Sequence, residues 1–173
     1  MMTGMELKTA RLLLRLPRQG DFEAYAAYYA DAETARFVGG QMSREKAWRH
    51  FAALVGHWTL RGFGIWAVEE IASREFAGCI GLWRPEGWPE LEVGYWLTRE
   101  VQGKGYATEA ALAARDYAFQ KLGANTLVSY IHPDNLASKK VAERMGARFE
   151  ETIDFADLEP HCVFRHPGPS DQG

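Results

Sequence analysis

Gln102-Gly103-Lys104-Gly105-Tyr106-Ala107 decides how this chain is read. The stretch lies between an apolar run at 91–97 and a long helical pattern that begins near Tyr106. Two glycines within three residues at a strand-to-helix turn let backbone N–H groups converge without Cβ interference. The helix that follows brings its positive dipole end and its unpaired N–H groups to the same point. A turn of this composition suits a bound phosphate.

Two common phosphate motifs do not fit. A Walker A loop needs Gly-x-x-x-x-Gly-Lys-Ser/Thr; Thr98 stands where its first glycine belongs and Gly105 where its hydroxyl belongs. A dinucleotide fingerprint needs Gly-x-Gly-x-x-Gly/Ala and a later acid for the ribose. Here Thr108 takes the third place, and the next strand candidate, 126–131, carries no acid.

What remains is Gln-x-x-Gly-x-Ala, from Gln102 through Gly105 to Ala107. It resembles the pyrophosphate-binding pattern of the GNAT superfamily of acyl-CoA-dependent N-acetyltransferases. Asn135-Leu136-Ala137-Ser138, followed by Val141, Met145 and Gly146, adds to the likeness. It is similar to the helix start of the ribosomal-protein N-acetyltransferase branch. Glu92-Val93-Gly94-Tyr95-Trp96-Leu97 matches the strand before the turn, and the resemblance spans about residues 12–165.

Composition sets the bounds. The 173 residues suit one domain, placed at 6–166 with a flexible tail at 167–173. Apolar residues at 47% and aromatics at 13% supply a substantial core. Net charge is −3 and no basic cluster marks a nucleic-acid footprint, so no nucleic-acid partner is expected. No apolar run approaches membrane length, and residues 1–6 lack a signal pattern. Cys79 and Cys162 have no Cys-x-x-Cys spacing, which fits a reducing cytoplasm.

Along the chain, strands are predicted at 11–16, 65–69, 76–83, 91–97, 126–131, 148–155 and 162–165. Helices are predicted at 22–29 after Asp21, from Ser43 to about 60, at 106–122 before Gly123, and at 135–145 before Gly146. Strands first, then strand–helix alternation, imply an α/β (α+β) fold with helices on both sheet faces. The resemblance implies a GNAT fold: a mixed, mostly antiparallel sheet of about seven strands, splayed between 91–97 and 126–131. Acetyl-CoA would lie in that gap, its pantetheine arm added along the 91–97 strand.

Few side chains can carry acyl transfer. Glu92 sits among residues that read as buried, either as a structural ion pair with an arginine or as a general base raised by burial. Ser138, one turn into its helix, is either a backbone-bonded serine or, by resemblance, the residue near the thioester sulfur. Asn135 serves as an N-cap and as a pantetheine contact. The resemblance also implies Tyr95, Trp96, Leu97, Gln102, Gly103, Lys104, Gly105, Tyr106, Ala107 and Thr108 as cofactor contacts. Trp83 and Trp88 flank a Pro/Gly loop and read as buried anchors or as a surface lining. His57, His132 and His161 have no metal spacing, so no metal is expected.

The implied activity is acetyl transfer from acetyl-CoA to a primary amine, the α-amine of a protein N-terminus, by a cytoplasmic monomer or homodimer. The rivals are an acetyltransferase for a small amine of aminoglycoside or polyamine type, a non-catalytic acyl-CoA-binding module, and a dinucleotide-binding domain. The helical segment 22–40 and the loop 154–161 are expected to grip the acceptor.

Overall fold

The computed structural model describes residues 5–171. Gln172 and Gly173 of the expected tail, and Met1–Gly4, lie outside the described residues; Pro169–Asp171 form a short 3-10 turn.

In chain order the elements are β1 (Leu7–Lys8), β2 (Leu12–Arg15), α1 (Phe22–Ala30), α2 (Ala32–Ala35), α3 (Arg44–Arg61), β3 (Ile65–Glu70) and β4 (Phe76–Trp83). Then come β5 (Glu92–Leu97), α4 (Tyr106–Gln120), β6 (Val128–Ile131), α5 (Leu136–Arg144), β7 (Arg148–Ile153) and β8 (His161–Arg165). The strands form one sheet in the order β1-β2-β3-β4-β5-β6-β8-β7. The sheet has eight strands where about seven were expected. The extra one, β1, is two residues long and too short to show alternation, but it pairs with Leu13 and Leu14 of β2. Helix α2 was also missed, because four residues show no helical period.

Every neighbouring pair is antiparallel except β5–β6, which is parallel and meets at a single register position, Glu92 opposite Val128. Beyond that point the two strands part. Ser129 Oγ donates to Val93 O at 2.8 Å across the start of the gap. The splay expected between these strands is present, and it leaves one edge of β5 unpaired.

Helices cover both faces. Ala110, Ala111, Ala114 and Ala118 of α4 are fully buried, and such small side chains let the helix lie close over Leu82, Val93 and Leu97. On the other face Phe22, Tyr25 and Tyr29 of α1 pack with Phe51 and Leu54 of α3. Because strand side chains alternate, Val93 and Leu97 join the α4 core while Trp96 packs on the α1–α3 side. The β4–β5 contact is tight at Gly78, where a Cβ would lie 2.2 Å from Trp96 O.

One expected cap differs. Asp21 stands at the α1 N-terminus but makes no side-chain cap bond. Its carboxylate takes a bidentate pair of bonds from buried Arg15, at 2.9 and 2.8 Å, and a third from Arg18 N. A guanidinium out of water needs that carboxylate more than a helix end does. Ser43 and Asn135 do cap, accepting from Lys46 N and Ser138 N. Gly146 follows α5 at φ +84°, the left-handed position its spacing predicts.

Candidate active site

The turn after β5 has the form its sequence suggested. Gly103 and Gly105 stand at φ +79° and +81°, a region that penalises any residue with a Cβ. Gly105 is the N-cap of α4 and supplies no side-chain bond, so the first N–H groups of the helix stay free for an anion. Gln102 Nε2 donates to Leu97 O at 3.0 Å, tying the turn to the end of β5.

Outside the turn is a brace that sequence reasoning missed. Arg11 Nη1 donates to Lys104 O at 2.8 Å, its Nε donates to Glu109 at 2.7 Å, and the guanidinium lies over the Tyr106 ring. Tyr106 Oη donates to Glu70, and that bond holds the Glu70 carboxyl down at about 2. Lys104 faces this brace, with Nζ 3.4 Å from Glu70. It is the one residue of the turn from 102 to 108 whose side chain does not border the adjoining cavity.

Two cavities meet at the splay. The larger, about 840 Å³, runs from the glycine turn past Leu97 to α5 and includes Ala107, Thr108 and Arg144. The smaller, about 620 Å³, lies between α1, the 36–40 turn and the 155–161 loop. Phe37, Val38, Tyr95, Trp96, Asn135 and Ser138 border both, so the cavities share a neck. The segments expected to grip the acceptor both line the smaller cavity.

Glu92 projects into the smaller cavity and makes no ion pair among the described residues. Of the two readings given for Glu92, the ion pair with an arginine is absent among the described residues; Arg165 bonds Glu90 and Glu150. Trp88 Nε1 donates to Glu92 Oε2 at 2.7 Å. Oε1 lies over Gly94, 3.6 Å from where a Cβ would stand. Desolvation pushes the Glu92 carboxyl up to about 7, against the opposing pull of the Trp88 bond. The Tyr130 backbone N–H pulls in the same direction as Trp88, and the result is an anchored carboxylate with an affinity for protons near neutrality.

At the neck, Asn135 Oδ1 accepts from Ser138 N at 3.2 Å, and Tyr95 Oη donates to Ser138 O at 2.8 Å. Burial raises the Tyr95 phenol far above its usual range, so it stays a hydrogen-bond donor. Glu92 and Ser138 share the smaller cavity but are not bonded to each other.

Trp83 and Trp88 line that cavity and are not buried anchors. The sequence offered no sign that Trp88 reaches Glu92 except its four-residue separation across a Pro/Gly loop. His50 was missed altogether; it lines the cavity with Nδ1 2.6 Å from Tyr25 Oη. His132 is 3.4 Å from Glu159, and its ring lies 5.0 Å from Phe37. No cluster of metal-ligating side chains occurs among the described residues.

A splayed mixed sheet with a glycine-rich turn at the end of β5 and a raised carboxyl at its start is the architecture of an acyl-CoA-dependent transferase. The acetyltransferase (GNAT) domain model matches residues 11–148, and the chain belongs to that family. It is an acyl-CoA-dependent N-acetyltransferase. It resembles an acetyltransferase of Agrobacterium tumefaciens str. C58, with 36% identity, 94% of each chain covered and a TM-score of 0.86. The N-acetyltransferase YoaA of Bacillus subtilis (strain 168) is 31% identical over 153 residues, 85% of each chain. RimL, a ribosomal L7/L12 alpha-N-protein acetyltransferase solved in complex with coenzyme A, shares the fold at a TM-score of 0.76 and 19% identity, over 94% of this chain and 97% of its own.

Proposed function

We propose that this enzyme acetylates an α-amino group, with the larger cavity receiving acetyl-CoA and the smaller one the acceptor. Acetyl-CoA supplies the acetyl group as a thioester. The turn from Gln102 to Thr108 offers backbone N–H groups to the pyrophosphate, and the unpaired edge of β5 from Tyr95 to Leu97 offers its peptide groups to the pantetheine arm. Asn135 caps α5 with its oxygen and presents its amide N–H to the neck. Ser138 orients the thioester end.

Glu92 Oε1 takes the proton from the acceptor ammonium, directly or through one water, and frees the nitrogen lone pair. The nitrogen then bonds to the acetyl carbon, the C–S bond breaks, the nitrogen loses its second proton, and the departing thiolate takes one up. The observation that carries this reading is the placement of Glu92 in the acceptor cavity, held by Trp88 Nε1 and without a paired cation among the described residues, where burial raises its carboxyl.

The raised carboxyl, at about 7, selects the amine. An α-ammonium of pKa about 7.7–8.0 gives its proton to a carboxylate at about 7 with a deficit of about 1 unit, or ~1.4 kcal/mol. A lysine at about 10.4 faces a deficit of ~3.4 units, or ~4.6 kcal/mol. RimL, by its description, acts on an α-amine. Two peptides decide the matter, one with a free N-terminus and blocked lysines, the other the reverse. Faster turnover of the lysine peptide would remove the α-amine assignment. The cytoplasm is the compartment this reading expects, with Cys79 and Cys162 as buried thiols.

A further inference from the structure

The acceptor cavity has a wall chemistry of its own. Nine of its lining side chains are Phe, Tyr or Trp, and they are fixed before any ligand arrives. Trp96 stacks on Tyr28 at 3.8 Å and meets Tyr25 and Tyr29 edge-on or tilted at 5.7 and 5.8 Å. Trp83 stacks on His57 at 4.3 Å. Rings already locked by neighbours lose little freedom on contact with a ligand.

Charge is almost absent inside. The ionisable acids and bases bordering the cavity, histidines apart, are Arg36, Glu92, Asp157 and Glu159. Arg36, Asp157 and Glu159 are solvent-exposed at the rim, and the Arg36 guanidinium lies over the Phe37 ring. His50, within the wall, is kept neutral by burial. Glu92 is therefore the single carboxylate of the interior, with no Lys or Arg beside it; His132 and His161 lie half-buried towards Glu159.

We propose that the acceptor is an α-amine carried on an aromatic or bulky apolar group, with no second positive charge and no free carboxylate beside the amine. This rests on the assignment of Glu92 as the base. An aromatic body gains area and ring contacts against the half-buried Trp83, Trp88, Trp96 and Phe155. The second ammonium of a polyamine, or the many of an aminoglycoside, would enter this wall without a counter-charge. A free α-carboxylate would lie beside Glu92 with no interior Lys or Arg to pair it. Burial of either charge unpaired is heavily unfavourable. The chemistry is shared by an N-terminal residue of a peptide and by a small amide or ester of the same residue.

The test measures initial rates with acetyl-CoA and five acceptors: phenylalanine amide, a tripeptide amide beginning with phenylalanine, alanine amide, free phenylalanine and spermidine. At least one phenylalanine amide acceptor should exceed alanine amide by about ten- to hundred-fold in kcat/KM, with free phenylalanine and spermidine lowest. Turnover of the tripeptide alone assigns the peptide source; turnover of phenylalanine amide alone assigns the small-molecule source. If alanine amide, free phenylalanine or spermidine is the best acceptor, the inference falls while the acetyl-transfer reading stands.

Tryptophan fluorescence titration with phenylalanine amide and the tripeptide amide, in the presence of CoA, separates the opposite case. Binding of either without turnover of any acceptor would keep the aromatic character of the cavity's ligand but overturn its assignment as the acetyl acceptor. Neither binding nor turnover of either overturns the inference. His50→Glu, in the wall of the same cavity, adds a second interior carboxylate. It should raise spermidine turnover relative to the preferred phenylalanine acceptor; an unchanged ratio also counts against the inference.

Discussion

Glu92→Gln should make this protein more stable at pH 8 and nearly inactive, a combination that ordinary core damage does not produce. The wild-type carboxyl rises from 4.5 to about 7 on folding. At a pH between those values the folded state binds more protons than the unfolded state. Stability is therefore fully present below about pH 4.5 and falls as pH rises towards 7. A shift of about 2.5 units corresponds to ~3.4 kcal/mol at ~1.36 kcal/mol per unit. Glu92 is half-buried, so solvent trims the realised effect to about 2–3 kcal/mol.

Glutamine keeps the shape and still accepts the Trp88 bond, but has no charge to desolvate. Urea denaturation at pH 4.5 should find the two proteins alike, and at pH 8 the variant should be ahead by ~2 kcal/mol or more. Its kcat should fall by about 10²–10⁴-fold, the usual share of a positioned base. The acid limb near pH 7 in the wild-type profile of kcat/KM should disappear with it. Equal loss of stability at both pH values would refute the account of desolvation. Retained activity with an unchanged pH profile would leave Glu92 a structural residue.

Trp88→Phe removes the one side-chain bond that lowers the Glu92 carboxyl, so the acid limb should move to higher pH; a limb that stays in place rules out Trp88 as a tuner. Gly105→Val forces a branched residue to φ +81°, which costs about 1–2 kcal/mol or distorts the turn. Calorimetry should show acetyl-CoA affinity lost at least ten-fold, by roughly that energy, and near-normal affinity would remove the pyrophosphate assignment. Asn135→Ala should lower stability by ~1 kcal/mol through the lost cap and raise KM for acetyl-CoA. A fall in stability alone would leave Asn135 as a cap.

The parts of this fold that repeat a local rule were legible in the sequence. The apolar run at 91–97, the glycine turn and the helix after it are consecutive, so their arrangement is a matter of backbone geometry. Gly146 and Ser43 were readable for the same reason. What escaped was whatever joins distant segments. Arg11 clasps Lys104 and Glu109 from about ninety residues away, and no local pattern announces it. The aromatic wall gathers α1, β4, β5, β6 and the 155–161 loop into one cavity. Each of its rings, taken alone, looks like an ordinary core residue. Asp21 shows the limit from the other side: Arg15 is only six residues away, but that it would be buried and take the carboxylate from the helix end is a matter of packing that no local pattern shows.

The proposed base and the proposed phosphate turn are joined through one strand, and that has mechanical consequences. Glu92 opens β5 and Leu97 closes it, with Gln102 Nε2 tied back to Leu97 O. Five residue steps at about 3.3–3.4 Å place the two ends ~17 Å apart along the strand. Antiparallel pairing with β4 from Gly78↔Leu97 to Trp83↔Glu92 fixes that spacing over its whole length. A ligand held by the turn at one end and lying along the free edge of β5 is thereby measured against Glu92 by the strand itself. The close approach of Gly78 to Trp96 O pins the register at the end nearer the turn. Gly78→Ala would force the strands apart there, because a Cβ 2.2 Å from a carbonyl oxygen has no room. If the strand is the ruler, kcat should fall more steeply than acetyl-CoA affinity, since the turn survives while its distance to Glu92 changes. A parallel loss of affinity and kcat, or a loss of affinity alone, would show that the turn and the base are positioned independently of β5.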